Sequence, residues 1–430
     1  MFNFKRLLPK RLSPVAFVQS LYLNVSLFFA NDLMSSASAC AFGFLFSFIP
    51  VSMMIFVILF RFLHATPDVQ NFIVSQFDFL SGFTSTISRL NESFDSISSI
   101  TSFEVVLIWA TIWMSRRCFS STFTGLDRIF GEEQKSKGLT KQLLIFALEA
   151  ITLIMISAGI FLVAASKSIV KLDFLAYFMK DASVSFQFAY TTIVSIFPYI
   201  LIFLISLLMY KYASRTKPSW GSCIIASLGT TFSFKILLFV FQYFVNLNRY
   251  NFIYGFLSNV IVLLLEVFSF FILFFFFAQW IFVFQFFETL LVCEIYLLPD
   301  SGKEKRLAEI KRLLFIRPDY LMKNSSNVID LTAGEYIYKK GDRQKYAYYV
   351  AYGLVKLSSD YKTTILTRGD FFGEEYCLLN RSATEDAVAV SAVKIISIPD
   401  EVFMGLLERN PKVGKKALYQ INNYINEKKF

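Results

Sequence analysis

The stretch FILFFFFAQWIFVFQFFETLLVCEIYLLPDSGKEKRLAEIKR, Phe271 to Arg312, joins two kinds of chain in one run. Up to Leu298 it is apolar, built mostly of Phe, Leu and Ile; from Pro299 onward charge is dense. The contrast persists on either side of that junction. Long apolar segments recur before it. After it come short runs punctuated by polar turns, among them LTAGEYIYKKGD (Leu331 to Asp342) and TRGDFFGEE (Thr367 to Glu375). The chain therefore reads as a membrane body followed by a water-facing module.

Composition supports that division. Of 430 residues, 55% are hydrophobic and 52 are Phe, more apolar surface than a soluble fold hides. The net charge of +10 is assigned to cytoplasmic loops, where Lys and Arg of membrane proteins concentrate; nucleic acid is not an expected partner. Cys40, Cys118, Cys223, Cys293 and Cys377 form neither a disulfide framework nor a metal spacing. His64 is the only histidine, so no metal, cofactor or His-based catalytic residue is expected.

A bilayer core of ~30 Å takes roughly 20 apolar residues of helix. Six stretches meet this: about 37–63, 101–124, 141–165, 188–212, 222–246 and 256–287. The N-terminal tail is basic, the loop 64–100 is acidic on balance, and the loops after spans two and four carry Arg116, Arg117, Arg128, Lys135, Lys137 and Lys211, Arg215, Lys217. Both termini are thereby expected in the cytoplasm. Before span one, Gln19, Asn24, Asn31 and Asp32 interrupt the apolar character of 14–34. This segment reads as an amphipathic helix at the cytoplasmic interface, with a gating helix as the alternative. The loop 68–100 has apolar residues at helical spacing and reads as a cap on the outer face.

Polar residues within spans are expensive and are the candidates for function. They are Glu149 in span three, Lys235 and Gln242 in span five, and Glu266 and Gln279 in span six. Lys235 and Glu266 fall at comparable depth in neighbouring antiparallel spans, and an ion pair between them is predicted. Such a pair serves either the bundle's structure or a transport or lipid-headgroup site. Small residues from Ser35 to Gly43 open span one to close helix approach. Pro50 and Pro198 favour kinks.

Four segments of the membrane part resemble the YihY/BrkB family, formerly called ribonuclease BN-like. They are NDLMSSASACAFGFLFSFIP (Asn31 to Pro50), RTKPSWGS (Arg215 to Ser222) with its Pro-x-Trp loop, the Tyr-Gly turn of NFIYG (Asn251 to Gly255), and FAQ (Phe277 to Gln279). The last stands where family members often have Gly-Ala-Glu, so Gln279 replaces a carboxylate; Glu266 falls near a common Trp. The resemblance implies a six-span inner-membrane protein linked to envelope properties and virulence. Hydrolysis of RNA needs a metal or an acid-base cluster. The chain has no His-rich or Asp-rich constellation, so an enzyme is not expected and no catalytic residue is assigned.

Beyond a charged connecting helix at 299–312, short β-rich runs are predicted at Tyr336–Tyr338, Tyr346–Ala351, Gly353–Leu357, Thr363–Leu366, Val388–Val390 and Val393–Ile398. Helices follow at about 400–408 and 411–427. Short strands with regular turns suggest a small barrel or jelly roll. The order of LTAGEYIYKKGD, YYVAYGLV (Tyr348 to Val355), GDFFGE (Gly369 to Glu374) and IPDEVF (Ile398 to Phe403), followed by Asn410-Pro411, is similar to the cyclic-nucleotide-binding domain family. That resemblance implies a phosphate cassette in which a Glu takes the ribose hydroxyl, and backbone N–H groups with an Arg neutralise the cyclic phosphate. Carried over, these are Gly373 and Glu374, then Arg381 and Ser382. The cassette is short, with six residues between Glu374 and Arg381. Aligned backward from Ile398-Pro399, the Arg position falls on Ala383, with Glu385 and Asp386 close by. A domain used for docking or oligomerisation is the alternative.

The fold class expected is thus a six-span α-helical bundle plus a small C-terminal β-barrel with flanking helices. The division is 1–36 cytoplasmic or interfacial, 37–290 membrane domain, 291–312 connecting helix and 313–430 cyclic-nucleotide-binding-like domain. The lipid bilayer, a cyclic nucleotide and a second copy of the chain are the expected partners. The expected role is an envelope or transport protein of the inner membrane regulated by its cytoplasmic domain; a non-transporting scaffold is the rival.

Overall fold

The computed structural model describes residues 14–57, 102–131, 184–214, 216–244, 256–298, 306–316, 327–359 and 362–427, with a few positions between 143 and 151 and Leu321. The expected helix at 68–100, Glu149, most of span 141–165 and the side chain of Gln242 lie outside the described residues. The chain falls into two compact units, one of Asn24–Phe282 and one of Met1–Leu23 with Val283–Phe430.

The helices of the first unit are the end of α1 (Pro14–Ala30), α2 (Leu33–Val57), α3 (Ser102–Phe130), α4 (Val184–Leu208), α5 (Trp220–Phe244) and α6 (Phe256–Gln285). α4 runs through Pro198 and ends in a π-helical turn, Met209–Ala213. By length and apolarity, three helices among the described residues are able to cross a bilayer: Ile196–Ala213, Trp220–Phe241 and Ile261–Gln285. α1 and α2, bent by 63° at a short break, make a fourth if the pair is one span.

Phe side chains of α6 organise this unit. Phe271, Phe274 and Phe275 are buried with Leu33, Phe123, Leu126 and Tyr210 in one apolar cluster. Two glycines make the close approach possible. A Cβ on Gly125 of α3 would lie 2.4 Å from the Phe275 ring, and one on Gly229 of α5 would lie 2.4 Å from the Phe277 ring. The Pro-x-Trp loop between α4 and α5 is fixed by one lysine. Lys211 donates to the Pro218 carbonyl at 2.8 Å and stands 4.9 Å from the Trp220 ring centroid, while Ser219 Oγ accepts the Ser222 N–H at the start of α5.

α1 is amphipathic in the opposite sense to a helix laid on a water-facing surface. Gln19, Ser20 and Asn24 are buried, whereas Phe17, Val18, Leu21, Val25 and Phe29 are exposed. The polar residues that interrupt its apolar character are turned into the protein. This is the arrangement expected where the surroundings are lipid.

In the second unit, α7 (Phe287–Tyr296) and α8 (Arg306–Phe315) precede eight strands. The strands are β1 Val328–Leu331, β2 Tyr336–Tyr338, β3 Tyr346–Tyr352, β4 Val355–Ser358, β5 Thr363–Leu366, β6 Phe371–Phe372, β7 Asp386–Ala389 and β8 Val393–Pro399. They form two four-stranded sheets, ordered β1-β8-β3-β6 and β2-β7-β4-β5, with every pairing antiparallel. Tyr338, Tyr348, Val350, Val355, Phe372, Ala387 and Ile395 share one core drawn from both sheets. Helices α9 (Glu374–Leu379), α10 (Asp400–Arg409) and α11 (Pro411–Glu427) complete the unit.

The two Gly-Asp pairs of the sequence make tight turns. Gly341 and Gly369 have φ of +96° and +102°, and the following aspartates accept backbone N–H groups three residues upstream: Lys339 to Asp342 at 2.8 Å and Thr367 to Asp370 at 2.7 Å. The strands agree with the expected runs to within two residues. The short elements β1, β6 and α9 were not anticipated, because runs of two to six residues carry too little periodicity to read.

Candidate functional site

The cassette segment begins at the end of β6. Gly373 adopts φ +77°, a left-handed conformation that a side chain disfavours, and caps the six-residue α9. A Cβ there would lie 3.2 Å from Tyr348 Cδ2. Glu374 follows directly and is 4% exposed. Its Oε2 has no hydrogen-bond partner among the described residues. Burial pushes the carboxyl above the ordinary carboxylate range; a hydrogen bond from its own backbone N–H and, less strongly, the Lys416 ammonium on α11 pull partly against that rise.

α9 ends at Asn380, itself left-handed, and the chain turns back. Arg381 N–H donates to the Tyr376 carbonyl at 3.1 Å, and Ala383 is bonded through its backbone to Asp342 and Gly341, each at 2.8 Å. Arg343 donates to Asn380 Oδ1 at 2.9 Å and pairs with Ser382 in an isolated bridge. The Arg381 and Ser382 residues are exposed. The four cassette residues thus divide into a buried pair, Gly373 and Glu374, and an exposed pair at the opposite end of α9. Ala383, the alternative position for the arginine, is buried. The space between the sheets beside the cassette holds aromatic rings. Tyr348 stacks on Phe372 at 5.2 Å, and Tyr338 lies about equally far from Phe372 and Tyr376, 6.1 Å from each.

Among the intramembrane candidates, one expectation is corrected. Lys235 does not pair with Glu266. Lys235 is exposed on the face of α5 that also presents Phe232, Ile236 and Phe239, turned away from the buried cluster that α6 enters. Its ammonium lies 5.2 Å from the Tyr199 ring centroid. Glu266 is half-buried on α6. Gln279 is fully buried and accepts from the Asn31 side chain at 3.1 Å. One turn earlier on α6, the Phe276 carbonyl accepts from Asn24 at 3.4 Å. Asn24 Oδ1 and Gln279 Nε2 lack partners among the described residues.

Sequence reasoning missed this amide seam, although Asn24 and Asn31 are seven residues apart, two helical turns, a spacing that marks one face. It also missed Tyr210, which donates to the Phe274 carbonyl at 2.8 Å and is bonded to Thr230 Oγ1 at 2.8 Å. Among the described residues no group of three His, Cys, Asp or Glu side chains is placed to hold a metal ion.

Residues 25–288 match the family model described as virulence factor BrkB, and residues 328–410 match that of the cyclic nucleotide-binding domain. No curated protein matches the chain. Solved structures similar to the C-terminal part include a bacterial protein of a cyclic-GMP-dependent signalling pathway that regulates phytopathogenesis, at 22% identity over 23% of this chain and 84% of that one, with TM-score 0.22. A catabolite activator protein from Thermus thermophilus is 24% identical over 26% of this chain and 56% of its own length, with TM-score 0.23. A transcriptional regulator from Thermotoga maritima is 21% identical over 23% and 82%, with TM-score 0.21.

Proposed function

The chain belongs to the virulence factor BrkB family and carries a cyclic nucleotide-binding domain, and from that premise we propose that it is a regulated membrane protein whose cytoplasmic domain takes a cyclic nucleotide. The bundle has six spans in the bacterial inner membrane, with both termini in the cytoplasm, and the domain is a small jelly-roll barrel. The bundle moves a lipid, solute or ion and performs no covalent chemistry.

The observation that carries this reading is Glu374. A carboxylate oxygen that is buried and unpartnered is costly unless something bonds to it. It sits immediately after left-handed Gly373 in the segment matched to the nucleotide-binding domain. A ribose hydroxyl donates to such an acceptor. Arg381, exposed seven residues on, has the charge to meet a cyclic phosphate once the cassette closes on it.

The test is calorimetric titration of the full-length protein in nanodiscs with cyclic AMP, cyclic GMP and cyclic dinucleotides. Saturable binding of a mononucleotide, weakened tenfold or more by Arg381→Ala, is expected, since a hydrogen bond to a charged group is worth about 1.5–3 kcal/mol. Absence of binding by all of them rejects the reading.

The second reading is an envelope scaffold whose domain docks a protein or a second copy of the chain. The rings of Tyr338, Tyr348, Phe372 and Tyr376 in the core beside the cassette favour it, because they occupy volume a ligand would share. An oligomer that persists without nucleotide, in a protein that supports no flux in liposomes, is its signature.

A further inference from the structure

α5 carries a single charge, Lys235, and presents it on an exposed face. Ile225, Leu228, Phe232, Ile236 and Phe239 follow one another at intervals of three and four residues and are all exposed, so they form one continuous apolar stripe. The segment Trp220–Phe241 is long and apolar enough to cross a bilayer. Trp220 and Tyr243, both exposed, stand near its two ends. At 1.5 Å per residue they are about 34 Å apart, close to the separation of the two polar boundaries of a ~30 Å hydrocarbon core, where such rings collect. Lipid surrounds the stripe, and an ammonium there is costly unless it reaches an anion or water.

The α4–α5 hairpin shows which way Lys235 reaches. The Tyr210 hydroxyl and Thr230 Oγ1 are 2.8 Å apart, which sets the two helices level there. Tyr199 precedes Tyr210 by 11 residues on the way into the loop, and Lys235 follows Thr230 by five on the way out. The Tyr199 backbone is therefore about 9 Å farther from the Pro-x-Trp loop than that of Lys235. A helical side chain leans toward the N-terminus of its own helix, which carries the Tyr199 ring farther the same way. Lys235 Nζ stands 5.2 Å from the centroid of that ring. The ammonium is thus extended toward the end of α5 remote from the loop, against the lean of its own helix. Lys235 lies 15 residues beyond Trp220, about 22 Å, which leaves ~8 Å to the far boundary of the core, most of it covered by the four-carbon stem. Its charged head arrives where the phosphates of the far leaflet lie.

We propose that this face of α4 and α5 is a phospholipid site. The phosphodiester of one lipid pairs with Lys235 beside the Tyr199 ring, and an acyl chain runs from there along Ile236, Phe232, Leu228 and Ile225 toward the loop. Charge selects the occupant. α5 has no acidic residue, and among the described residues the Tyr199 ring is the contact of the ammonium. A phosphodiester is the anion that a bilayer supplies at that depth, and its chains match the apolar stripe below. The site needs neither the nucleotide nor transport.

Native mass spectrometry of the full-length protein in detergent, titrated with phosphatidylglycerol, tests it. Diacylglycerol with the same chains serves as the lipid without a phosphate. The wild type is expected to retain one phosphatidylglycerol. Lys235→Met and Lys235→Gln are each expected to weaken that binding about tenfold, the loss of one hydrogen bond to a charged group, while Lys235→Arg keeps it. Diacylglycerol is expected to bind the wild type and Lys235→Met equally and weakly. A phosphatidylglycerol carrying a photoactivatable acyl chain is expected to label α5 between Ile225 and Ile236. Equal affinity of wild type and both uncharged variants overturns the site. So does diacylglycerol held by the wild type as tightly as phosphatidylglycerol, or labelling confined to other helices. A dimer that excludes the lipid and dissociates in Lys235→Met also overturns it, and assigns the face to a second copy of the chain.

Discussion

Asn31 donates its side-chain amide to Gln279 Oε1 at 3.1 Å, fastening the break between α1 and α2 to α6. Gln279 is fully buried, and its side-chain oxygen is the acceptor for that amide.

Gln279→Leu leaves the Asn31 donor without that acceptor. The cost expected is about 1–3 kcal/mol, seen as a lower midpoint in thermal unfolding of the detergent-solubilised protein. Asn31→Leu combined with Gln279→Leu is expected to destabilise by less than the two single changes summed. Additive losses would mean that the two amides do not act together.

Lys235→Met is expected to change stability by no more than about 1 kcal/mol, since the lysine is exposed and, among the described residues, its ammonium meets the face of Tyr199. Glu266→Gln is expected to act independently, so that the double variant equals the sum. A coupling energy of several kcal/mol would restore the ion pair that the sequence suggested.

Gly373→Ala places a Cβ at a φ of +77° and 3.2 Å from the Tyr348 ring. The strain expected is about 1–2 kcal/mol. Gly373→Asn is expected to cost less than Gly373→Ala, because Asn tolerates the left-handed region better than other side chains. Urea midpoints followed by fluorescence compare the two; equal stability of wild type and Gly373→Ala would argue that the cap relaxes.

The buried carboxyl of Glu374 carries a pH signature. Its folded-state pKa is raised by burial, so the folded protein binds the proton more tightly than the unfolded chain. The group contributes no difference below the unfolded value of about 4.3. Stability is lost as pH rises from there through the raised folded value, and the loss is complete above it. Glu374→Gln removes this slope. The variant is expected to gain on the wild type as pH rises from 4.5 to 8 in unfolding titrations. Parallel pH profiles would show that Glu374 is ionised at no cost.

Much of the architecture follows from local pattern. The junction at Leu298-Pro299, the apolar helices and the alternation of short strands with Gly-Asp turns are written in neighbouring residues. Periodicity and turn chemistry act over a few residues, so a sequence reader sees them directly. The residue types of the cassette were legible for the same reason.

The sequence by itself determined that this chain has a membrane body and a β-rich C-terminal module, because hydrophobic run length and turn residues are local quantities. Only the tertiary structure decided that Lys235 meets Tyr199 and not Glu266, since similar depth in two helices says nothing about which faces meet. It also decided that Gln19 and Asn24 point inward, and that Lys416 holds the Tyr296 carbonyl. Those facts depend on how faces turn and helices dock, which packing of the whole chain fixes and no local pattern encodes.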